Sequence, residues 1–197
     1  MMDAAELTAG SRAFQEHEGR DAMYKTATFL VRHYWGRAPE MADSLGVLLL
    51  TWNQAFYRYG QPDLGVLEQC IVRNQDVLDA FRGRGILTYT PADDATITGL
   101  YDEFLSALRI AEGKCQGRRS PVAVAKALHL LAPAFFPLWD DKIAKAYGCW
   151  YEYIPFLRKM VDLARLVGPG LALIDPGKTV LKVIDEYNYA KYTKGWV

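Results

Sequence analysis

The chain predicts an all-α protein, a compact helical globule of two lobes, and three observations predict it. Apolar residues recur every three or four positions along most of the 197 residues, the period of a helix with one buried face. Glycine and proline punctuate these segments at short intervals. Alternating apolar and polar residues, the mark of a half-buried strand, are almost absent. The single strand-like run is ILTYT at 86–90, too short to imply a sheet. Half of the residues (51%) are hydrophobic and 23% charged, a balance with enough apolar area for one core.

The elements come in this order. Residues 20–35 place Met23, Ala27, Leu30, Val31 and Tyr34 along one face, with Gly36 and Pro39 ending the helix. Residues 40–59 form a longer helix, stopped by Gly60 and Pro62. Leu64 to Phe81 is amphipathic and closes at Gly83 and Gly85. Pro91, Asp93 and Asp94 supply the start of a helix over 92–111, and the polar GKCQGRRS leads on from it. Ser120 and Pro121 are N-cap and first-turn residues for an apolar helix that Pro133 ends. After the apolar loop AFFPLW, Asp140 and Asp141 open a short helix, KIAKAYG. Pro155 begins a helix over 155–167, which GPG breaks, and the last helix covers 176–191. The whole chain, 1–197, reads as one helical domain, with 40–148 as its core and 1–39 plus 149–197 packed around it.

Composition narrows the function. Basic and acidic side chains balance at 23 each, which disfavours broad charge-driven binding to nucleic acid. A local basic patch at Lys114, Arg118, Arg119 and Lys126 stands apart from that balance. Three scattered cysteines form no disulfide framework or cluster spacing, and the N-terminus lacks a signal peptide, so a cytoplasmic protein is expected. No run is long enough to span a membrane. The three histidines have no ligand spacing, and neither metal nor cofactor is expected.

The stretch 120–148, SPVAVAKALHLLAPAFFPLWDDKIAKAYG, carries the chemistry. An aspartate before a helix is ordinarily an N-cap. Aromatic residues just ahead of it also suit a carboxylate held at the floor of a cleft, where it stabilises positive charge. Both readings stand for Asp140 and for Asp141. The apolar helix 122–131, the turn FFPLWD and the aspartate resemble the core of the helix-hairpin-helix (HhH-GPD) DNA glycosylase superfamily. LLLTWNQAF at 48–56 is a second, weaker likeness.

The resemblance implies a base-excising enzyme that flips a nucleotide from double-stranded DNA. Asp140 takes the family's aspartate position, although Trp139 lengthens the turn by one residue and leaves Asp141 a rival. It further implies a base pocket or intercalating set drawn from Trp52, Asn53, Gln54, Tyr57, His129 and Trp139. Phosphate contacts would fall to Lys114, Arg118, Arg119 and Lys142, because the family's glycine-rich hairpin loop is missing. Lys126 lies one turn beyond the position of the family's lyase lysine, so a monofunctional, monomeric hydrolase is expected, acting in repair or in defence against modified phage DNA. A non-catalytic binding module that kept the fold is the alternative, and a helical enzyme acting on small molecules is a third reading. The stripe Trp52, Phe56, Tyr59 has the spacing of a buried helix face, which leaves Tyr57 and Arg58 for ligand contact. The tail, YNYAKYTKGWV, interleaves aromatic and basic residues and either meets nucleic acid or docks on the core.

Overall fold

Helices and their connecting turns make up the whole of the computed structural model, which describes residues 4–19, 21–171 and 177–197. Ten α-helices run in the order α1 (Ala4–His17), α2 (Asp21–His33), α3 (Ala38–Trp52), α4 (Gln54–Tyr57), α5 (Leu64–Arg82), α6 (Asp94–Ala107), α7 (Pro121–Leu131), α8 (Asp141–Ala146), α9 (Tyr153–Leu171) and α10 (Val180–Asn188). A π-helical turn, Tyr189–Lys194, continues α10. No strand occurs among the described residues, so the all-α expectation holds. Arg20 and Pro176, the first residues of two expected helices, lie outside the described residues.

Helix α7 sits at the centre. Every residue from Ala123 to Leu131 is buried, as befits a helix that is apolar nearly all round. It packs against α2, α3 and α6. Ser120 caps it by accepting from the Ala123 amide at 3.2 Å, with Pro121 in the first turn. Around α7, one contiguous core extends from Leu7 to Tyr187.

The first and last helices close the molecule on each other. Helix α1 packs along α10 at Gly10, where a Cβ would lie 2.8 Å from the Cα of Tyr187. Only glycine lets the two backbones approach so closely. Periodicity predicts no helix over 4–17, because its polar composition hides a narrow buried stripe of Leu7, Gly10, Ser11 and Phe14.

Several local expectations are corrected. Residues 40–59 are not one helix: α3 ends at Trp52, and Asn53 (φ −116°, ψ 29°) interrupts the helix before α4. The interruption rotates the side chains of α4 and the residues after it. Tyr57 is therefore buried, donating to the Leu108 carbonyl at 2.9 Å, and Tyr59 is exposed. On α2 the buried face is Tyr24, Ala27 and Val31, and Met23 faces outward. Residues 86–88 of the strand-like run form a 3-10 turn whose Ile86 amide donates to Ala134 O. The GPG sequence does not break α9, which continues to Leu171.

The loop from 132 to 139 is nearly as buried as the helices, with Phe135 and Phe136 fully inaccessible. A buried loop is tolerable only if its backbone polar groups find partners. They do: Pro133 O accepts from Thr179, Ala134 O from Ile86, Phe136 O from His129 and Pro137 O from Tyr153. Phe81 packs on both phenylalanines, at 4.6 and 5.0 Å between ring centroids. The end of this loop therefore has a fixed position, and Asp140 stands there.

Candidate functional site

Asp140 is the N-cap of α8. Its Oδ1 accepts from the amides of Lys142 (2.9 Å) and Ile143 (2.8 Å), and its Oδ2 accepts from the Thr193 hydroxyl (2.6 Å). Both oxygens are thereby held in one orientation. The Thr193 contact comes from the π-helical turn, an irregularity often found where a helix serves a site. Gly195, at φ +66°, ends that turn in the left-handed conformation. Asp141, one residue on, is exposed at the outer edge.

A pocket of about 300 Å³ opens over this cap. The ends of α1, α3 and α8, one side of α7, and α10 with its π-helical extension enclose it. Trp52, Phe14 and Tyr189 give it aromatic walls, and Lys126, Asp140 and Asp185 give it charge. Its volume lies at the small end of ligand-binding clefts, enough for a single ring system and not for an extended substrate.

The residues singled out from the sequence distribute unevenly. Trp52, Asn53, Lys126, Trp139, Asp140, Asp141 and Lys142 all line the pocket. Gln54 is exposed and turned away from it, Tyr57 is in the core, and neither lines it. Trp139 contributes to the wall, but its ring is 2% exposed, packed on Tyr153 and Phe156, with Nε1 donating to Pro121 O. It is therefore not a wedge free to enter a duplex. Asn53 donates from Nδ2 to Ser120 Oγ at 3.1 Å, tying the interrupted helix to the start of α7. Lys126 is buried and donates from Nζ to Trp52 O at 2.8 Å. A cation there neutralises carbonyls at the C-terminus of α3.

His129 lies in the core and away from the pocket. Its Nδ1 is 2.7 Å from Phe136 O, and a carbonyl can only accept, so Nδ1 carries the hydrogen. Nε2 then accepts from the Tyr24 hydroxyl at 2.9 Å. Burial, above all, drives its pKa down to about 3, outweighing the Phe136 contact that favours the charged ring. The imidazole is neutral and structural.

Lys114, Arg118 and Arg119 are exposed on the connection between α6 and α7, and Lys142 donates to Thr193 O. That connection is a tight hairpin, Ile110 N to Arg118 O and Gly117 N to Ile110 O. Gly113 (φ +91°) backs onto Tyr59, whose carbonyl would sit 2.5 Å from a Cβ. The hairpin leads directly into Ser120, which holds Asn53, but Lys114, Arg118 and Arg119 do not line the pocket. In the tail, Trp196 contacts His17 and Tyr189, and Tyr187 is core.

Sequence reasoning missed the acidic groups that α10 contributes. Lys182 is 4% exposed, with Nζ 3.1 Å from Asp21, 3.5 Å from Glu186 and 3.9 Å from Asp185, above the rings of Phe14 and Tyr24. Glu186 also pairs with Lys178 at 2.9 Å and accepts from Ser11. Burial raises the Asp21 carboxyl, but Lys182 and Lys25 together outweigh it and hold the pKa below the usual value. Asp185 differs. Burial, its largest influence, lifts it to about 7, with Lys182 opposing, Glu186 and Asp140 adding, and Lys126 opposing. The spacing Lys182, Asp185, Glu186 on one helix was a signal, since charges there share a buried face with Leu181 and Ile184.

A comparison with protein-family models, curated proteins and solved structures finds no match to this chain. No helix among the described residues is long and apolar enough to cross a membrane.

Proposed function

We propose that the chain is a DNA glycosylase that hydrolyses the N-glycosidic bond of a damaged or modified base flipped into the pocket from double-stranded DNA. One observation carries this reading: a carboxylate with both oxygens fixed stands in a small aromatic-walled pocket. Cleavage builds positive charge on the deoxyribose. Asp140 meets that charge without reorganising, which is where preorganised electrostatics acts most strongly, as carboxylates do in glycoside hydrolysis. Trp52 and Tyr189 supply faces for the base, and Arg118, Arg119, Lys114 and Lys142 supply cations for phosphate.

Lys126 supports a monofunctional enzyme. Its ammonium is engaged with the end of α3, whereas lyase chemistry needs a neutral amine free to attack. The reading covers both repair of damaged bases and defence against modified phage DNA, with a single chain acting in the cytoplasm.

A non-catalytic nucleic-acid-binding module is favoured by a separate fact: the three hydrogen bonds of Asp140 are also what a purely structural cap would make. Asp140→Asn separates the two. Asparagine caps a helix about as well as aspartate, so folding and duplex binding should persist. Base release from a panel of duplexes carrying uracil, mismatched thymine, oxidised or alkylated purines, and hydroxymethylated or glucosylated cytosine is read as alkali-labile sites. A glycosylase should lose about 100-fold or more in single-turnover rate with this substitution. Unchanged release would remove Asp140 from the mechanism, and silence of the wild-type protein across the panel would favour the binding module.

A further inference from the structure

Of the carboxyl groups that line the pocket (Glu18, Asp140, Asp141 and Asp185), Asp140 and Asp185 have unlike surroundings. Asp140 accepts three hydrogen bonds. Asp185 accepts none among the described residues, although it is 8% exposed and lines the same cavity. A carboxyl drawn away from bulk water and given no hydrogen-bond donor favours its protonated form, and groups perturbed in this way inside a cleft are candidates for function.

The charges around it explain its state. Lys182 faces three carboxyl groups and is nearest to Asp21 and Glu186. Asp21 has Lys25 as a second partner at 3.0 Å, and Glu186 has Lys178. From α7 comes Lys126, itself hydrogen-bonded to Trp52 O, and from the start of α8 comes the negative charge of Asp140. Of the three acids around Lys182, Asp185 is the farthest from it, and the second cation acting on it, Lys126, counts for less than the burial that opposes its ionisation. Asp185 is thus the group on which a proton is retained near neutrality.

We propose that Asp185 is the proton donor of this site, protonating a ring nitrogen of the departing base while Asp140 faces the sugar; this rests on the glycosylase reading. The proton leaves the Asp185 oxygen for the base nitrogen, and the N-glycosidic bond breaks with its electron pair passing to the base. The sugar is left as an oxocarbenium ion opposite Asp140. Water adds to the anomeric carbon and gives its proton to the Asp140 carboxylate, which passes it to solvent. Asp185 takes a proton back from solvent. This chemistry defines the substrate class: a base that leaves poorly as an anion and well once protonated, as a purine does at a ring nitrogen. Two carboxyls in unlike environments taking acid and charge-stabilising roles is a recurrent solution.

The test is the pH profile of single-turnover base release, using the duplex from the panel that the wild-type protein cleaves. Asp185 acts only when protonated and its pKa lies at about 7, so the wild-type rate should be flat on the acid side and fall tenfold per pH unit above that. Asp185→Asn should lose about 100-fold or more at pH 6, lose the alkaline limb, and bind the duplex with wild-type affinity by fluorescence anisotropy. Asp185→Glu should restore part of the rate and the limb together. An Asp185→Asn protein that keeps the wild-type rate, or that is slow yet keeps the limb, overturns the proposal while the Asp140 mechanism stands. If base release survives in Asp140→Asn, or the wild-type protein releases nothing, the glycosylase reading itself fails and takes this assignment with it.

Discussion

Replacing Lys182 by methionine tests whether the buried charge cluster is a connected unit. Methionine keeps most of the stem that lies against Phe14 and Tyr24 and removes only the ammonium. That ammonium is within 4 Å of Asp21, Glu186 and Asp185. A pair at such a distance is worth about 4 kcal/mol at an effective dielectric near 20, and breaking a buried pair costs on the order of 3–5 kcal/mol. Lys25 and Lys178 still serve Asp21 and Glu186, so the lower end of that range, about 3 kcal/mol, is expected at pH 7. For a chain of this size that is a fall in Tm of roughly 10 °C. The pH dependence has a definite sign. Carboxyls left without the cation have folded pKa values above their unfolded ones, so stability is lost as pH rises past about 4. The deficit in urea unfolding should therefore be largest at pH 7–8 and shrink near pH 4–5. A variant within 1 kcal/mol of wild type at pH 7, or a deficit that does not move with pH, would refute the coupling.

Acid should act on His129 in the opposite direction. Its folded pKa of about 3 lies below the ordinary 6.5, so the unfolded chain binds the extra proton and stability is lost as pH falls from 6.5 towards 3. His129→Leu should be less stable at pH 7 by about 2 kcal/mol, having stranded Phe136 O and the Tyr24 hydroxyl, yet show a flatter pH dependence across that window in thermal melts. Gly10→Ala places a methyl 2.8 Å from the Tyr187 backbone and should cost about 1–3 kcal/mol by prising α1 from α10. A neutral Gly10→Ala would show that the two helices can separate freely.

The local grammar of the chain was legible. Ser120 and Asp140 sit where their side chains can reach amides two or three residues ahead, and capping is decided by that short reach. Gly60 and Pro62 bound a helical region, although Gly60 also answers to a distant segment, since a Cβ there would clash with Glu112 O. The helix is buried from Ala123 to Leu131 because its side chains are apolar apart from Lys126 and His129, which find partners in Trp52, Tyr24 and Phe136. What periodicity could not show was the interruption at Asn53, since residues 40–59 continue one apolar pattern through it. One irregular residue turns every later side chain, and so Tyr57 is core where a continuous helix would turn it to the ligand side.

The sequence alone determined an all-α fold, the loop that ends in aspartate, and the aromatic and basic residues near it. Tertiary structure decided which of these meet. Thr193 reaches Asp140 across 53 positions, and Lys126 reaches the end of α3 across 74. Asp185 joins the pocket, with Lys182 3.9 Å from it, because Gly10 lets α10 lie against α1. Caps and helical faces depend on neighbours within one turn, and a sequence displays those neighbours directly. A pocket depends on chain segments brought together by burial of the whole core, and its electrostatics depend on how much water that burial removes.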